Sequence, residues 1–350
     1  MGLLIPIPMT DGKTNLLGLT LEQLQMLCAD EGFPRFTAKQ LCDWLYKKRV
    51  DSIDAMTNLS LTQRARLNEV AYIGRETPVR CQVSKDGTKK YLFPVLDKHF
   101  IETVYIPDDD RATLCVSCQV GCKMGCRFCV TGQQGFHGNL SSGDILNQLF
   151  SIPEFERLTN VVFMGMGEPM DNLDAVLAAT QVLTAPWGLG WSPKRITVST
   201  VGIIPGLKRF LDESQCHLAI SLHNPVPQEC LQLMPVQKAF PLNEVLALLR
   251  KYVWSGQRRL SFEYTMFRGL NDDQAHAAKL VEVLRGLDCR VNLICFHESP
   301  EAPYRTSMPT TIKAFQDYLN RNGVICTLRV SRGQDIDAAC GLLAGKDSSH

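Results

Sequence analysis

Cys122, Cys126 and Cys129 carry the clearest chemistry in this chain of 350 residues. They stand as CxxxCxxC in Gly121-Cys122-Lys123-Met124-Gly125-Cys126-Arg127-Phe128-Cys129. With 14 cysteines in all, such a triplet arises by chance in about 0.02 chains of this length. Three thiolates on one loop can hold three irons of a 4Fe-4S cube and leave the fourth without a protein ligand. That open iron can chelate the amino and carboxylate groups of S-adenosylmethionine and pass an electron into its sulfonium. Structural zinc is the competing use, but it normally takes four protein donors in two separated pairs, and no matching pair follows downstream. Cys118 lies outside the spacing and reads as an extra thiol.

A second element is Gly165-Met166-Gly167-Glu168-Pro169. Its glycines allow a ligand close to the backbone, and Glu168 can accept a hydrogen bond from an ammonium group. Alone this is an ordinary strand-to-helix turn. Beside the cysteine loop it looks like the holder of the methionine end of the cofactor.

The composition narrows the setting. A formal net charge of +1 argues against coating nucleic acid by bulk electrostatics. Local basic groups remain at Lys47-Lys48-Arg49, Lys208-Arg209 and Arg250-Lys251 with Arg258-Arg259, and such clusters are usually solvated helix faces. The longest apolar runs, such as Val161 to Met164 and Val291 to Phe296, fall well short of the roughly 20 residues needed to span a bilayer. The stretch Met1 to Met9 lacks a basic leader and a cleavage pattern, so no membrane partner and a cytoplasmic address are expected. A reducing compartment disfavours structural disulfides. Cys28, Cys42, Cys81, Cys216, Cys230, Cys289 and Cys326 therefore read as core thiols.

The elements that position these residues follow from periodicity. Capping-box patterns at Thr20 with Gln23, Thr37 with Gln40, and Ser60 with Gln63 predict a small helical domain over residues 1–75. Extended segments around Asp86-Gly87 predict a β-hairpin extension over 76–106. From 107 to 335 strand and helix patterns alternate. Strands are expected at Thr113–Gln119, Asn160–Met166, Arg195–Thr200, His217–His223, Leu260–Met266 and Arg290–Phe296, with helices near Ile145, Leu173, Leu207, Val245, Ala278 and Phe315. Six units are fewer than the eight of a closed barrel, so the expected fold class is α/β with a partial, open, TIM-like barrel. Its site should lie at the carboxyl ends of the strands. Residues 336–350 form a tail.

With these motifs in place, the chain resembles the RlmN family of adenine-C2 methyltransferases, relatives of the Cfr enzymes within the radical SAM superfamily. The resemblance covers nearly the whole length. It is carried by Ile101-Glu102-Thr103-Val104, Arg111 to Cys115, the cysteine loop, Gln133-Gln134-Gly135-Phe136, Gly165 to Pro169, Ser199-Thr200-Val201-Gly202, Ser221-Leu222-His223, and Asp335-Ile336-Asp337-Ala338-Ala339-Cys340-Gly341. It implies two S-adenosylmethionine molecules per turnover, bound through Gly167, Glu168, Ser199, Ser221, Leu222 and His223. It further implies that Cys340 carries the methyl group, Cys115 resolves the enzyme–RNA link by forming a disulfide, and Glu102 is a general base. Taken singly, Cys340 would be a packed thiol, Glu102 a solvated carboxylate and His223 a core histidine; the shared context reverses each reading.

The chemistry explains the combination. Carbon 2 of adenine is electron-poor and its hydrogen is not acidic, so simple polar displacement on a sulfonium methyl fails and a radical route is required. In the family's mechanism the Cys340 thiolate first takes a methyl from one S-adenosylmethionine. A deoxyadenosyl radical from a second molecule then abstracts hydrogen from that methyl, and the carbon radical adds to adenine. Attack by Cys115 on the Cys340 sulfur is ordinary thiol exchange. Two departures stand out: His297 occupies a position where the family usually has asparagine, and Cys295 one where proline is common. His297 is a candidate hydrogen-bond donor to the cofactor.

The implied partners are 23S ribosomal RNA and transfer RNA, together with a flavodoxin- or ferredoxin-type electron donor, and the chain is expected to act as a monomer. The target adenine must be unstacked to reach a buried radical. Residues 1–75 could grip the RNA backbone, with Lys47-Lys48-Arg49 the leading contact. The rivals are a Cfr-type enzyme acting on carbon 8, and a non-catalytic iron-sulfur or zinc protein that only binds RNA. The segment Val104-Tyr105-Ile106-Pro107, followed by an acidic run and Arg111, favours carbon 2. A binding module would have no use for the Cys115 and Cys340 pair.

Overall fold

The computed structural model describes residues 9–10, 12–96, 98–256, 258–298 and 302–345. The chain opens with β1 (Met9–Thr10), antiparallel to β2 (Lys13–Asn15), and β2 pairs parallel with β3 (Ala71–Tyr72). Between them run α1 (Leu21–Asp30), α2 (Thr37–Cys42) and α3 (Leu61–Val70). The expected capping boxes form at Thr20 with Gln23 and at Ser60 with Gln63, satisfying the first amides of α1 and α3. The Thr37 box does not form. Thr37 is the first helical residue rather than the cap, fully buried, and its Oγ1 accepts from the Gln63 side chain at 3.4 Å. Tertiary contact has taken the hydroxyl that the local pattern assigned to the helix terminus.

Next come β4 (Arg80–Val83), β5 (Lys89–Val95) and β6 (His99–Pro107), an antiparallel meander. The turn between β4 and β5 is fixed by the Asp86 carboxylate, which accepts from Thr88 N at 2.9 Å. Strand β6 is antiparallel to β7 (Ala112–Cys115), and with β7 the sheet becomes parallel. A short ribbon follows, β8 (Gln119–Gly121) against β9 (Phe136–Asn139), with the cysteine loop and α4 (Val130–Gln133) between its strands.

The alternating part then runs α5 (Ser142–Phe150), β10 (Asn160–Phe163), α6 (Leu173–Thr184), β11 (Ile196–Thr200), α7 (Ile204–Glu213) and β12 (His217–Ser221). It continues with α8 (Pro227–Leu233), α9 (Leu242–Leu249), β13 (Leu260–Met266), α10 (Gln274–Leu284), β14 (Arg290–Cys295), α11 (Pro309–Arg321) and β15 (Ile325–Arg329). The ten-stranded sheet has the order β15-β14-β13-β12-β11-β10-β7-β6-β5-β4. All pairings from β7 to β15 are parallel. The six expected strands are present, and β15 adds a seventh parallel one at the open edge. Covered on both faces, the central strand β13 is buried along its whole length, as a crossover fold demands. Edge strand β15 is mostly uncovered.

The barrel core includes Phe163, Phe210, Phe262 and Tyr264, all nearly inaccessible. The N-terminal unit is tied to it. Tyr46 packs its ring against Phe150 and Trp187 with centroids 6.4 and 6.0 Å away. The Asn147 side chain exchanges two hydrogen bonds with the backbone of Glu76, at 2.9 and 3.0 Å. No helix among the described residues is long and apolar enough to cross a membrane.

Candidate active site

The carboxyl ends of the parallel strands enclose a cavity containing about 1240 Å³ of atom-free space, part of it open solvent. Its wall is assembled from segments distant in sequence. Cys115 ends β7, Gly167 and Glu168 follow β10, Ser199 and Thr200 end β11, Ser221 ends β12 and His223 follows it. Glu263 and Thr265 lie on β13, Ile294 on β14, and Arg329 ends β15. Cys122, Cys126 and Cys129 face the cavity from the loop, and Cys340 and Gly341 from the tail.

The cysteine loop is pinned at its margins. Cys122 N donates to Gly135 O at 2.8 Å, Arg127 N to Leu233 O at 3.0 Å, and Val130 N to Gly341 O at 2.9 Å. Burial raises all three thiols, Cys122 to about 12, so metal binding must displace their protons. The donor set fits an iron-sulfur cube in number and kind: three thiols from one loop line one cavity, and thiolates are the usual ligands of such clusters.

Glu168 is almost wholly buried. Burial pushes its carboxyl up to about 7, against donors that favour the charged form: Thr200 Oγ1, Val201 N at 3.0 Å and Met170 N at 3.0 Å. A carboxylate offers about four lone-pair positions, so one remains for an incoming ammonium. His223 has a left-handed backbone, φ 53°. Its Nδ1 accepts from Thr265 N at 3.0 Å, and Phe128 meets the ring edge-on at 4.7 Å. An accepting Nδ1 carries no proton, so the neutral ring presents Nε2–H as a donor, and burial lowers its pKa to about 3.

Two thiols and a cation, Cys115, Cys340 and Arg329, also line the cavity. Burial pushes Cys115 up to about 12, helped by the nearby Cys340 and opposed by a Met164 backbone bond and by Arg329. Cys340 is exposed at the cavity mouth yet crowded by protein on its other sides, and this burial raises its thiol while Arg329 works the other way. Arg329 donates to Glu263 Oε2 and to the Met164 sulfur, each at 3.3 Å. Burial disfavours its charge, but Glu263 and the two thiols more than hold it up. Glu263 is anchored in turn by Asn292 Nδ2 at 2.8 Å. Arg329, Glu263, Thr200 and Thr265 are cavity residues that sequence reasoning did not single out.

Three expected site residues stand elsewhere. Leu222 is fully buried and outside the lining; its backbone N bonds to Glu263 O at 3.1 Å. His297 meets Ser331 Oγ at 2.7 Å rather than the cavity. Glu102 is 5% exposed and also outside the lining, its carboxylate held by Lys90 and by the amides of Ala344 and Gly345. All fourteen cysteines are free, so the structure contains no Cys115–Cys340 disulfide. Cys81 is exposed and Cys289 half-buried, unlike the core thiols expected. Among the basic groups, Arg258 is turned inward to Leu211 O at 3.0 Å, and Arg209 pairs with Asp174 and Glu213. Lys47 and Lys48 both face Asp43 at 3.7 Å.

Comparison with known proteins gives this architecture a class. Residues 116–281 match the Radical SAM superfamily, and residues 14–73 match the Ribosomal RNA large subunit methyltransferase N-terminal domain. A crystal structure of a radical SAM methyltransferase from Sphaerobacter thermophilus superposes with a TM-score of 0.88 at 41% identity, covering 95% of this chain and 99% of that one. The fold is that of a radical SAM methyltransferase.

The relatives narrow it further. A probable dual-specificity RNA methyltransferase RlmN from Parabacteroides distasonis is 55% identical over 95% of this chain and 97% of its own length. The dual-specificity RNA methyltransferase RlmN of Syntrophotalea carbinolica is 43% identical over 96% and 91%. This chain belongs to the RlmN family.

Proposed function

We propose that this chain methylates carbon 2 of an adenine in 23S ribosomal RNA and in transfer RNA, by way of Cys340. The observation that carries the reading is the meeting of Cys115, Cys340 and the cysteine triplet at one cavity, from three separate parts of the chain. A protein that only bound RNA or metal would have no need of that convergence.

Cys122, Cys126 and Cys129 would hold a 4Fe-4S cluster, with Glu168, Ser199, Ser221 and His223 around S-adenosylmethionine. When bound, cluster and cofactor supply a transferable methyl group and the one-electron chemistry that an electron-poor carbon requires. The chain's own part is positional and electrostatic. The remaining lone pair of Glu168 accepts a hydrogen bond from an ammonium group, and His223 Nε2–H offers a neutral donor in the same cavity. Arg329 stabilises negative sulfur at Cys340, whose lone pair would form the new bond to the methyl carbon as the methyl's bond to the sulfonium sulfur breaks and its electron pair leaves with the neutral thioether. In resolution the Cys115 thiolate attacks the Cys340 sulfur. The sulfur–sulfur bond forms as the carbon–sulfur bond to the base breaks; that electron pair stays with the base, whose methylene carbon takes up a proton to become the methyl group. A cellular thiol then reopens the disulfide. Glu102 can accept the carbon 2 proton only after its carboxylate leaves the amides of Ala344 and Gly345. A small flavodoxin- or ferredoxin-type protein is the proposed electron source.

The test is anaerobic reconstitution with ribosomal and transfer RNA, followed by nucleoside digestion and mass spectrometry. The expected product is 2-methyladenosine from the wild-type chain and none from Cys340→Ala. Intact methyl transfer by Cys340→Ala, or modification at carbon 8, would overturn the proposal.

A further inference from the structure

The tail that bears Cys340 is fastened on both sides. On the side nearer the barrel, Gly333 N donates to Asp86 Oδ2 at 2.9 Å, and the Asp335 carboxylate accepts from Ser84 Oγ and from Lys85 N at 3.2 Å. Both anchors lie at the β4–β5 turn. Beyond the cysteine, Val130 N donates to Gly341 O at 2.9 Å and Thr131 Oγ1 to Leu343 O at 2.6 Å, which joins the tail to the helix that closes the cysteine loop. The last described residues then reach the meander: Ala344 N and Gly345 N donate to Glu102 Oε2 at 2.6 and 3.2 Å. Glu102 Oε1 meets Lys90 Nζ at 3.0 Å, and the same ammonium reaches Asp337 O at 3.4 Å.

Glu102 and Lys90 are both nearly inaccessible, with side chains 7% and 9% exposed. A buried ammonium and carboxylate are costly unless paired and further hydrogen-bonded. Here each group directs a further bond at the tail, Lys90 before Cys340 and Glu102 after it. Neither side chain lines the cavity. Their partners are main-chain groups, so the pair fixes the path of the tail rather than any particular tail side chain.

We infer that Lys90 and Glu102 are positioning residues that clasp the tail on either side of Cys340 and so place its sulfur for methyl uptake. This rests on Cys340 being the methyl carrier, and it gives Glu102 a function before any proton leaves adenine. It also assigns the antiparallel meander a purpose: the strands added beside β7 form the platform on which the methyl-bearing tail is docked.

Reconstituted holoenzyme of the wild type, Glu102→Gln, Glu102→Ala and Lys90→Met provides the test, with three readouts. Hydrogen exchange reports amide protection over residues 338–345. Intact mass after S-adenosylmethionine is added without RNA reports methylation of Cys340. RNA adducts are then counted in a Cys115→Ala background. In Glu102→Ala, protection of the Ala344 and Gly345 amides and the rate of Cys340 methylation should each fall at least tenfold. Glu102→Gln keeps an oxygen that accepts both amides, so it should restore most of the protection and most of the methylation, and Lys90→Met should fall between. A residue that acts only as a base predicts the opposite pattern: Cys340 methylated at the wild-type rate in both Glu102 variants, followed by accumulation of unresolved adduct even with Cys115 present. That result, or equal damage from Gln and Ala, overturns the inference. Failure of the wild type itself to methylate Cys340 would instead remove the carrier reading beneath it.

Discussion

Two glycines of the cysteine loop offer a controlled test of how the loop is held. Gly121 lies at φ +70°, and a Cβ there would stand 1.8 Å from Gly135 O, the acceptor for Cys122 N at 2.8 Å. To reach the 3.4 Å of an ordinary contact, the two segments must part by about 1.6 Å. Gly121→Ala therefore incurs left-handed backbone strain of about 1–2 kcal/mol, the loss of a hydrogen bond worth about 1 kcal/mol, and crowding of about 1–3 kcal/mol. Gly125 has a similar φ of +61° but no atom within 4 Å of its Cβ position, so Gly125→Ala should cost only the backbone strain. The difference is at least about 2 kcal/mol, or roughly 4 °C in melting temperature for a domain of a few hundred residues. Thermal unfolding of the anaerobically purified proteins reads this, and iron per chain after reconstitution reads the loop itself. Gly121→Ala should melt lower and bind less iron than Gly125→Ala. Equal melting and equal iron would refute the steric reasoning.

Other consequences concern the charged groups of the cavity. Because burial holds the folded-state Glu168 near 7, against an ordinary value of 4.5, the folded chain keeps a proton between those limits that the unfolded chain has released. Stability from this group is therefore greatest below about pH 4.5 and is lost as pH rises through about 7. Cofactor binding runs the other way: affinity for S-adenosylmethionine should fall as pH drops from 8 to 6, and Glu168→Gln should bind weakly at all pH values, as calorimetry on the reconstituted protein would show. An unchanged pH profile in Glu168→Gln would contradict the assignment. Arg329→Gln removes the cation beside both thiols and leaves Glu263 with Asn292 and Ser261. The Arg329 side chain is 37% exposed, so the stability loss should be modest, about 1–2 kcal/mol. Cys340 methylation, followed by intact mass, should slow by at least tenfold; a wild-type rate would exclude an electrostatic role.

The parts of the site that sequence made legible are those whose meaning is local. The cysteine triplet, the glycines before Glu168 and the alternation of buried strands all announce themselves within a few residues. Arg329 and Glu263 do not. They come together only because β13, β14 and β15 pair in a register that sets Glu263 beside Asn292 and Asn292 beside Thr327, and no short pattern encodes that. Strand β15 itself was missed for a related reason: five residues at an open edge, mostly uncovered, lack the continuous apolar run of a central strand. Thr37 shows the converse failure, where a correct local signal yields to a packing contact from Gln63. Glu102 was found by resemblance, but its surroundings depend on a tail more than two hundred residues away.

The central claim is that Cys340 and Cys115 act in turn on one base within the cavity that the cysteine loop closes. It is tested most directly by incubating reconstituted Cys115→Ala with S-adenosylmethionine, reductant and substrate RNA, then mapping any RNA-linked peptide by mass spectrometry. The account predicts a stable adduct on the peptide containing Cys340, absent when Cys340 is also changed to alanine. Free, fully methylated RNA released by Cys115→Ala at the wild-type rate would contradict it.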